Sequence, residues 1–451
     1  MDQRAQNADN RSVKALFAGA ADFSRRALRV AGLDCAVLFL DGLTSGSEIA
    51  ETVLKPLSAL SAPMTPEALS ARILSGAVYC AVAQPCRDEA DAVNRLLNGF
   101  CVLELPGGLR LAFEVKTGEK RGPSEPEVES TTRGPKDAFA ETSRTNTGLL
   151  RRHLRNPRLR IWETAVGAES RTNVSLLWVE GTADPALVER MRQRLSDLEI
   201  RDLLTPSAVE TRITGRRGLP FPLLQYTERT DKFAGGLLEG RVGLFVDGLP
   251  VGYLAPVNLG ALLESAEDRD TDPISARFLR ALRGIALALA LLLPGLYVAM
   301  ATFHQEMLPT LLLEAVIESK AKVPFPTVLE ILGLLTAFEL LQEAGLSAPK
   351  AVSQPVSIIG GLVVGTAAVE ANLISPAALI LVSAAGICGF ALPGKSFVDA
   401  VRLCRFGLTL LAALAGLYGL TLGLLALLVY LAGLDSFGKA WLAPYSELRR
   451  K

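Results

Sequence analysis

The 451 residues carry 47 Lys+Arg against 47 Asp+Glu, a formal charge of zero, and no nucleic-acid partner is expected of them. The charge is unevenly spread: 73 of the 280 residues from Met1 to Arg280 are charged, roughly 26%, against 15 of the 154 from Ala281 to Leu434, roughly 10%. With two histidines, His153 and His304, and no C-x-x-C pair among six cysteines, a His-based metal site or a Ser-His-Asp triad is poorly supplied; neither metal nor cofactor nor enzymatic activity is expected.

The opening residues hold no apolar run, so no cleaved secretory signal is expected, and the polar half is assigned to the cytoplasm with its cysteines reduced. Within residues 1–117 the pattern predicts a first α/β subdomain. Cys35–Asp41 (CAVLFLD) reads as a strand into an Asp-Gly turn, and Ser47–Leu57 as a helix. Ala77–Ala83, Phe100–Leu105 and Arg110–Val115 read as strands, with a helix at Glu89–Leu97. Pro106-Gly107-Gly108 between two of those strands predicts a hairpin rather than a βαβ crossover.

Residues 118–278 are expected to hold a Gly/Pro/Ser/Thr-rich connection over 117–146 and a second α/β subdomain. Arg151, Arg152, Arg155, Arg158 and Arg160 form a basic cluster, either a solvated helix end or a contact for acidic lipid heads or a neighbouring subunit. Asn173–Glu180 (NVSLLWVE) and Arg241–Asp247 (RVGLFVD) read as strands, and Pro185–Leu198 as an amphipathic helix capped by Asp184. Strand-Asp-Gly occurs at Asp41 and again at Asp247, too short a pattern to prove a repeat.

Residues 279–451 read as a helical membrane domain. Ala281–Phe303 has Arg283 as its one charge, and about 20 residues at ~1.5 Å each cross a bilayer core. Arg277, Arg280 and Arg283 favour a cytoplasmic entrance, and Pro294-Gly295 predicts a kink. Thr310–Lys322 reads as an amphipathic interfacial helix. Thr327–Gly345 is short and acidic, so it is taken as re-entrant or interfacial, with Thr327-x-x-Glu330 as a capping box. Glu339 and Glu343 share a face, and a carboxylate there needs a burial partner or a watery path. Further spans are expected at about 356–373, 376–392 and 405–434. Gly361-x-x-x-Gly365, and Gly419 with Gly423, are assigned to helix packing. The expected fold is therefore a cytosolic mixed α/β region of two subdomains followed by an α-helical transmembrane domain of 4–5 spans. Four spans return the C-terminus to the cytoplasm but leave Lys395, Arg402 and Arg405 outside, against the positive-inside rule; a fifth span reverses both outcomes. Gly389–Ser396 (GFALPGKS) fits a phosphate-loop pattern, but its context closes an apolar segment, so it is read as an inter-helix loop.

Several stretches, in order, resemble the A subunit of GerA-type spore germinant receptors over nearly the whole chain. They are Leu38–Leu57, Arg133–Leu159, Thr227–Pro250, Pro294–Thr310, Val323–Glu330 and Phe338–Gly345. Arg229-Thr230-Asp231 stands where that family usually has Arg-Pro-Asp. The resemblance implies a protein of the inner spore membrane with a cytoplasmic N-terminal domain, working with a permease-like B subunit and a lipoprotein C subunit. It implies a homo-oligomer whose membrane helices form a gated ion path. Arg133, Arg151, Arg152 and Arg155 are then candidates for the assembly surface. Glu314, Glu330, Glu339 and Glu343, charges within the membrane half, are candidates for the ion path or its gate. The alternative is a non-conducting scaffold or signalling subunit that clusters receptor components.

Overall fold

A computed structural model describes residues 12–116, 126, 129, 134–215, 221–347, 360–361 and 363–444. Strand β1 (Phe23–Val30) turns into β2 (Leu33–Leu40) through Ala31 and Gly32, whose φ values of 50° and 82° suit a two-residue hairpin. Helices α1 (46–58) and α2 (66–77) follow, then β3 (Ala83–Pro85), α3 (Glu89–Leu97), β4 (Phe100–Glu104) and β5 (Arg110–Glu114). The sheet order is β1-β2-β4-β5-β3, antiparallel throughout. Alternate residues serve opposite faces. Cys35, Val37, Cys101, Leu103, Leu111 and Phe113 pack under α1 and α2, while Leu38, Leu40, Val102 and Ala112 pack under α3. Covering both faces explains why β2 and β4 read as unbroken apolar runs.

The second subdomain repeats this plan. After α4 (Ser143–His153) come β6 (Leu159–Val166), β7 (Thr172–Val179), α5 (Pro185–Ser196), β8 (Gln225–Thr227), α6 (Thr230–Leu238), β9 (Val242–Val246) and β10 (Gly252–Ala255). Their order β6-β7-β9-β10-β8 matches the first sheet strand for strand, although the two Asp-Gly turns follow non-equivalent strands, β2 and β9. The expected strand at Ala77–Ala83 is displaced: α2 runs through Ile73–Ala77 and ends around Gly76, whose φ is 107°. The sequence reading assigns no strand at β1 or β6. Both are sheet edges interrupted by charge: Arg25, Arg26 and Arg29 of β1 are exposed, and Arg160 and Glu163 of β6 form ion pairs with Glu180 and Arg144.

The helical half begins with α7 (Pro273–Thr302), continuous through Pro294. It continues with α8 (Thr310–Lys320), α9 (Thr327–Ser347), α10 (Pro376–Phe390) and α11 (Lys395–Ala432). Among the described residues, two helices, α7 and α11, are long and apolar enough to cross a membrane, and α10 is a shorter apolar helix. Of the expected 356–373 span, residues 356–359 and 362 lie outside the described residues; the rest is helical at 360–361, Val363–Ala367 and Ala368–Glu370 and then turns.

Helix α11 is not one rod. Ala415 (φ −139°, ψ 22°) and Gly416 (φ 59°, ψ −142°) break it. A Cβ on Gly423 would fall 2.8 Å from Leu408 Cδ2, although fifteen residues of straight helix span about 22 Å. The chain therefore reverses, and the arms 395–414 and 417–432 lie side by side. Both ends of the hairpin dock on the second subdomain. The Lys395 N–H donates to Tyr226 Oη at 3.2 Å, Ser436 Oγ donates to the Leu223 carbonyl at 2.8 Å, and Trp441 Nε1 donates to the Pro222 carbonyl at 3.0 Å. The expected single span over 405–434 is corrected accordingly. Lys395, Arg402 and Arg405, which four spans and five spans would place on opposite sides, lie on the arm that starts at the second subdomain.

Candidate functional site

The four acidic candidates divide by environment. Glu314 on α8 and Glu343 on α9 are exposed. Glu330 is buried, 4% exposed, among Val298, Val316, Ile331, Leu334, Ala378 and Val382. It does not close a capping box on its own helix. Its Oε1 accepts the Ser375 N–H at 2.5 Å, at the N-terminus of α10, where unpaired donors and the helix dipole favour an anion. Ser375 completes that cap by accepting from Ala378 N at 3.3 Å.

Glu339 finds the burial partner its position demands. Its Oε1 accepts from Arg405 Nη2, and its Oε2 lies 3.5 Å from Arg402 Nε. Arg402 also bonds Gln342 and reaches Asp399 at 3.4 Å. Arg405 is 3% exposed and Glu339 23%, so the pair ties α9 to the first arm of α11 with the guanidinium on its buried side. Exchange of water for an opposite charge is what makes such burial tolerable.

Small residues set how closely the helices approach. A Cβ on Gly419 would lie 2.1 Å from the Leu411 carbonyl oxygen, and Gly423 faces Leu408 and Leu411, so both serve packing inside the hairpin. A Cβ on Gly361 or Gly365 would meet no described atom within 4 Å. Gly295 lets α7 approach Leu408–Thr409, and Phe303 and His304 lie against Gly416 at the hairpin tip. Thus α7 and the first arm run outward from the polar half, while α9, α10 and the second arm run back.

The basic cluster behaves differently from its expectation as a surface. Arg151 is fully buried and grips both oxygens of Asp22, Nε to Oδ2 at 2.7 Å and Nη2 to Oδ1 at 3.0 Å, and it bonds the Asn156 carbonyl. Arg160 donates to the Leu16 carbonyl at 2.8 Å and to the Ala18 carbonyl at 3.0 Å. These arginines join the two subdomains within one chain, which removes Arg151 from any exposed surface. Arg152 and Arg155 remain exposed, Arg155 bonding Asn98 at 2.9 Å; Arg133 lies outside the described residues.

Sequence reading missed a polar cluster beside this junction. His153 Nε2 lies 2.6 Å from Asp137 Oδ2, and Thr230 Oγ1 reaches both, at 2.9 Å and 3.1 Å. Burial raises the Asp137 carboxyl, but the bonds to His153 and Thr230 outweigh it and hold the group below its usual range. Next to it, the fully buried Arg229 bonds Asp231 at 2.9 and 2.5 Å. The departure at Thr230 therefore adds a hydroxyl to this cluster. In the stretch Gly389–Ser396, whose ends lie in α10 and α11, Ser396 Oγ bonds Glu210 Oε1 at 3.2 Å and the Lys395 N–H donates to Tyr226. The six cysteines are unpaired, three of them buried.

The family described as "Bacillus/Clostridium GerA spore germination protein" matches residues 11–451. The chain is 33% identical to "Uncharacterized membrane protein YfkQ" of Bacillus subtilis (strain 168), over 93% of this chain and 82% of that one. It is 34% identical to "Spore germination protein KA" of the same organism, over 91% and 75%. It is 35% identical to "Spore germination protein A1", also from that organism, over 80% and 75%. Among solved structures, the N-terminal domain of the A subunit of the Bacillus megaterium spore germinant receptor GerK3 is 27% identical over 54% of this chain and 91% of that chain, with a TM-score of 0.41. With a family match running from residue 11 to the last residue and relatives above 30% identity along most of their length, the chain belongs to the GerA family of spore germination proteins.

Proposed function

We propose that this protein is the A subunit of a nutrient germinant receptor and that copies of it assemble into a gated, ion-conducting complex in the inner spore membrane. The polar subdomains lie on the cytoplasmic side in this reading, and a permease-like B subunit and a lipoprotein C subunit are its partners. Family membership supports the role in germination, and the names of its relatives support a membrane protein and an A-type subunit.

The observation that carries the conduit reading is the exposure of Glu314 and Glu343 on helices of the apolar half. Carboxylates facing hydrocarbon cost several kcal/mol, whereas the same groups facing a water-filled path between copies cost little. In planar bilayers the purified protein should pass a cation current, and Glu343→Gln with Glu314→Gln should reduce it severalfold. A current of wild-type size from the double variant would remove both residues from the path.

A second reading, a non-conducting scaffold, is favoured by the fact that Glu330 and Glu339 are both engaged within the chain. A scaffold passes no current under any germinant, yet still co-purifies with its receptor partners.

A further inference from the structure

The second arm of α11 ends at Ala432. Beyond it Asp435-Ser436 pairs with Lys439-Ala440 across a two-residue turn, Phe437-Gly438, whose φ values are 50° and 86°. This turn lies against α5 of the second subdomain, and a cavity of about 310 Å³ opens between them. Arg190 and Arg194 of α5, Thr214, and Asp435 and Phe437 of the turn line it. The two arginines stand one helical turn apart, on one face of α5. A Cβ on Gly438 would lie 2.6 Å from Arg190 Nη2 and 2.7 Å from its Nη1, so this guanidinium sits directly over the turn. Arg194 donates its Nε proton to the Ile213 carbonyl at 2.8 Å, which orients its remaining N–H groups. Both residues are exposed, and neither meets a carboxylate among the described residues. Asp435 accepts the Gly438 N–H at 3.0 Å. Two guanidinium groups against one carboxylate leave the cavity net positive.

We propose that this cavity binds the phosphate of an anionic phospholipid, from the leaflet that the second subdomain faces. Asp435 lies three residues past the end of the apolar arm, so with that arm in a bilayer the cavity falls at headgroup level. Guanidinium groups hold phosphate oxygens in pairs, and two of them one turn apart can grip one phosphate from two sides. A basic pair at this depth also gains from the negative potential of an anionic leaflet. Arg151 and Arg160, which the sequence offered for a lipid contact, are spent on the junction between subdomains. Helix α5 supplies the free guanidinium groups that such a contact needs. The inference rests on the helical half lying in a bilayer, not on its conducting ions.

The test uses the full chain in detergent. Its thermal-unfolding midpoint is followed as dioleoylphosphatidylglycerol or dioleoylphosphatidylcholine is added at rising mole fraction. The midpoint should rise further with phosphatidylglycerol. Arg190→Gln with Arg194→Gln should raise the half-saturating phosphatidylglycerol fraction about tenfold. Arg152→Gln, exposed on α4, should leave it unchanged. Coincident curves for the two lipids overturn the site, as does a wild-type response from the double variant or an equal loss in Arg152→Gln. Sodium phosphate that reproduces the rise at matched ionic strength overturns the lipid in favour of a free anion. A chain that does not float with phosphatidylcholine liposomes sinks the membrane reading, whereas flotation without a phosphatidylglycerol preference sinks this site alone.

Discussion

Asp22 and Arg151 are 129 residues apart in sequence and form a two-pronged ion pair, at 2.7 and 3.0 Å, with both side chains fully buried. Asp22 precedes the first strand of one subdomain and Arg151 ends the first helix of the other, so the pair is the charged pin of their junction. Parallel N–H···O bonds fix orientation as well as distance.

Removing one prong of that pin strands the other in a dry site. Asp22→Asn should destabilise the protein by about 3–5 kcal/mol, because an uncompensated buried guanidinium remains. Chemical denaturation of the polar region should show the midpoint fall, whereas Arg152→Ala, an exposed neighbour, should leave it within about 0.5 kcal/mol. Equal effects from the two substitutions would refute the pin.

The Glu339–Arg405 pair makes a sharper case, since it lies between apolar helices. Glu339→Gln leaves Arg405 without its full counter-charge and should cost about 3–5 kcal/mol, while Glu339→Gln with Arg405→Met should recover much of that loss. A double-mutant cycle in detergent measures the coupling; additive losses would mean that the two charges do not depend on one another.

At Gly416 the backbone has φ 59° and ψ −142°, a region that side chains avoid, and an added Cβ would meet Phe303 Cβ at 2.9 Å. Gly416→Ala should therefore cost about 1–3 kcal/mol by strain and displace the hairpin tip from α7. Spin labels at the exposed Leu403 and Leu428 should report a distance far below the ~37 Å of a straight 25-residue stretch, and that distance should shift in the Gly416→Ala background. A distance near ~37 Å would favour a straight α11.

Burial pushes the Glu210 carboxyl above its usual range, and the Ser396 hydroxyl only partly opposes this. The sign follows from linkage. A raised folded-state pKa stabilises the fold below the unfolded value, and that contribution is lost as pH climbs through the folded value. Glu210→Gln keeps an acceptor for Ser396 without the charge, so its thermal midpoint should match wild type in acid and exceed it increasingly toward neutral pH. A constant offset across pH would place the effect elsewhere.

Much of the polar half was readable because its signals are local. Helix α3 occupies the expected Glu89–Leu97, with Asp88 accepting from Asp91 N at its cap. Strands β4 and β5 form the hairpin that Pro106-Gly107-Gly108 announces. Strands β1 and β6 escaped notice because charged residues interrupt their apolar positions, Arg25, Arg26 and Arg29 in one and Arg160 and Glu163 in the other. Glu339 was recognised as needing a partner, but Arg405, 66 residues away, had no sequence mark as that partner.

The division into a charged half and an apolar half was determined by sequence alone, as were the helical periodicity and the caps, because each depends on neighbours within a turn or two. Tertiary structure alone decided that Arg151 is interior, that Glu330 caps a foreign helix, and that the last apolar segment folds back at Ala415–Gly416. Those outcomes turn on which desolvated charge meets which distant donor, and on a glycine whose permitted conformations include both straight and reversed chain. Only the packed helices select between them.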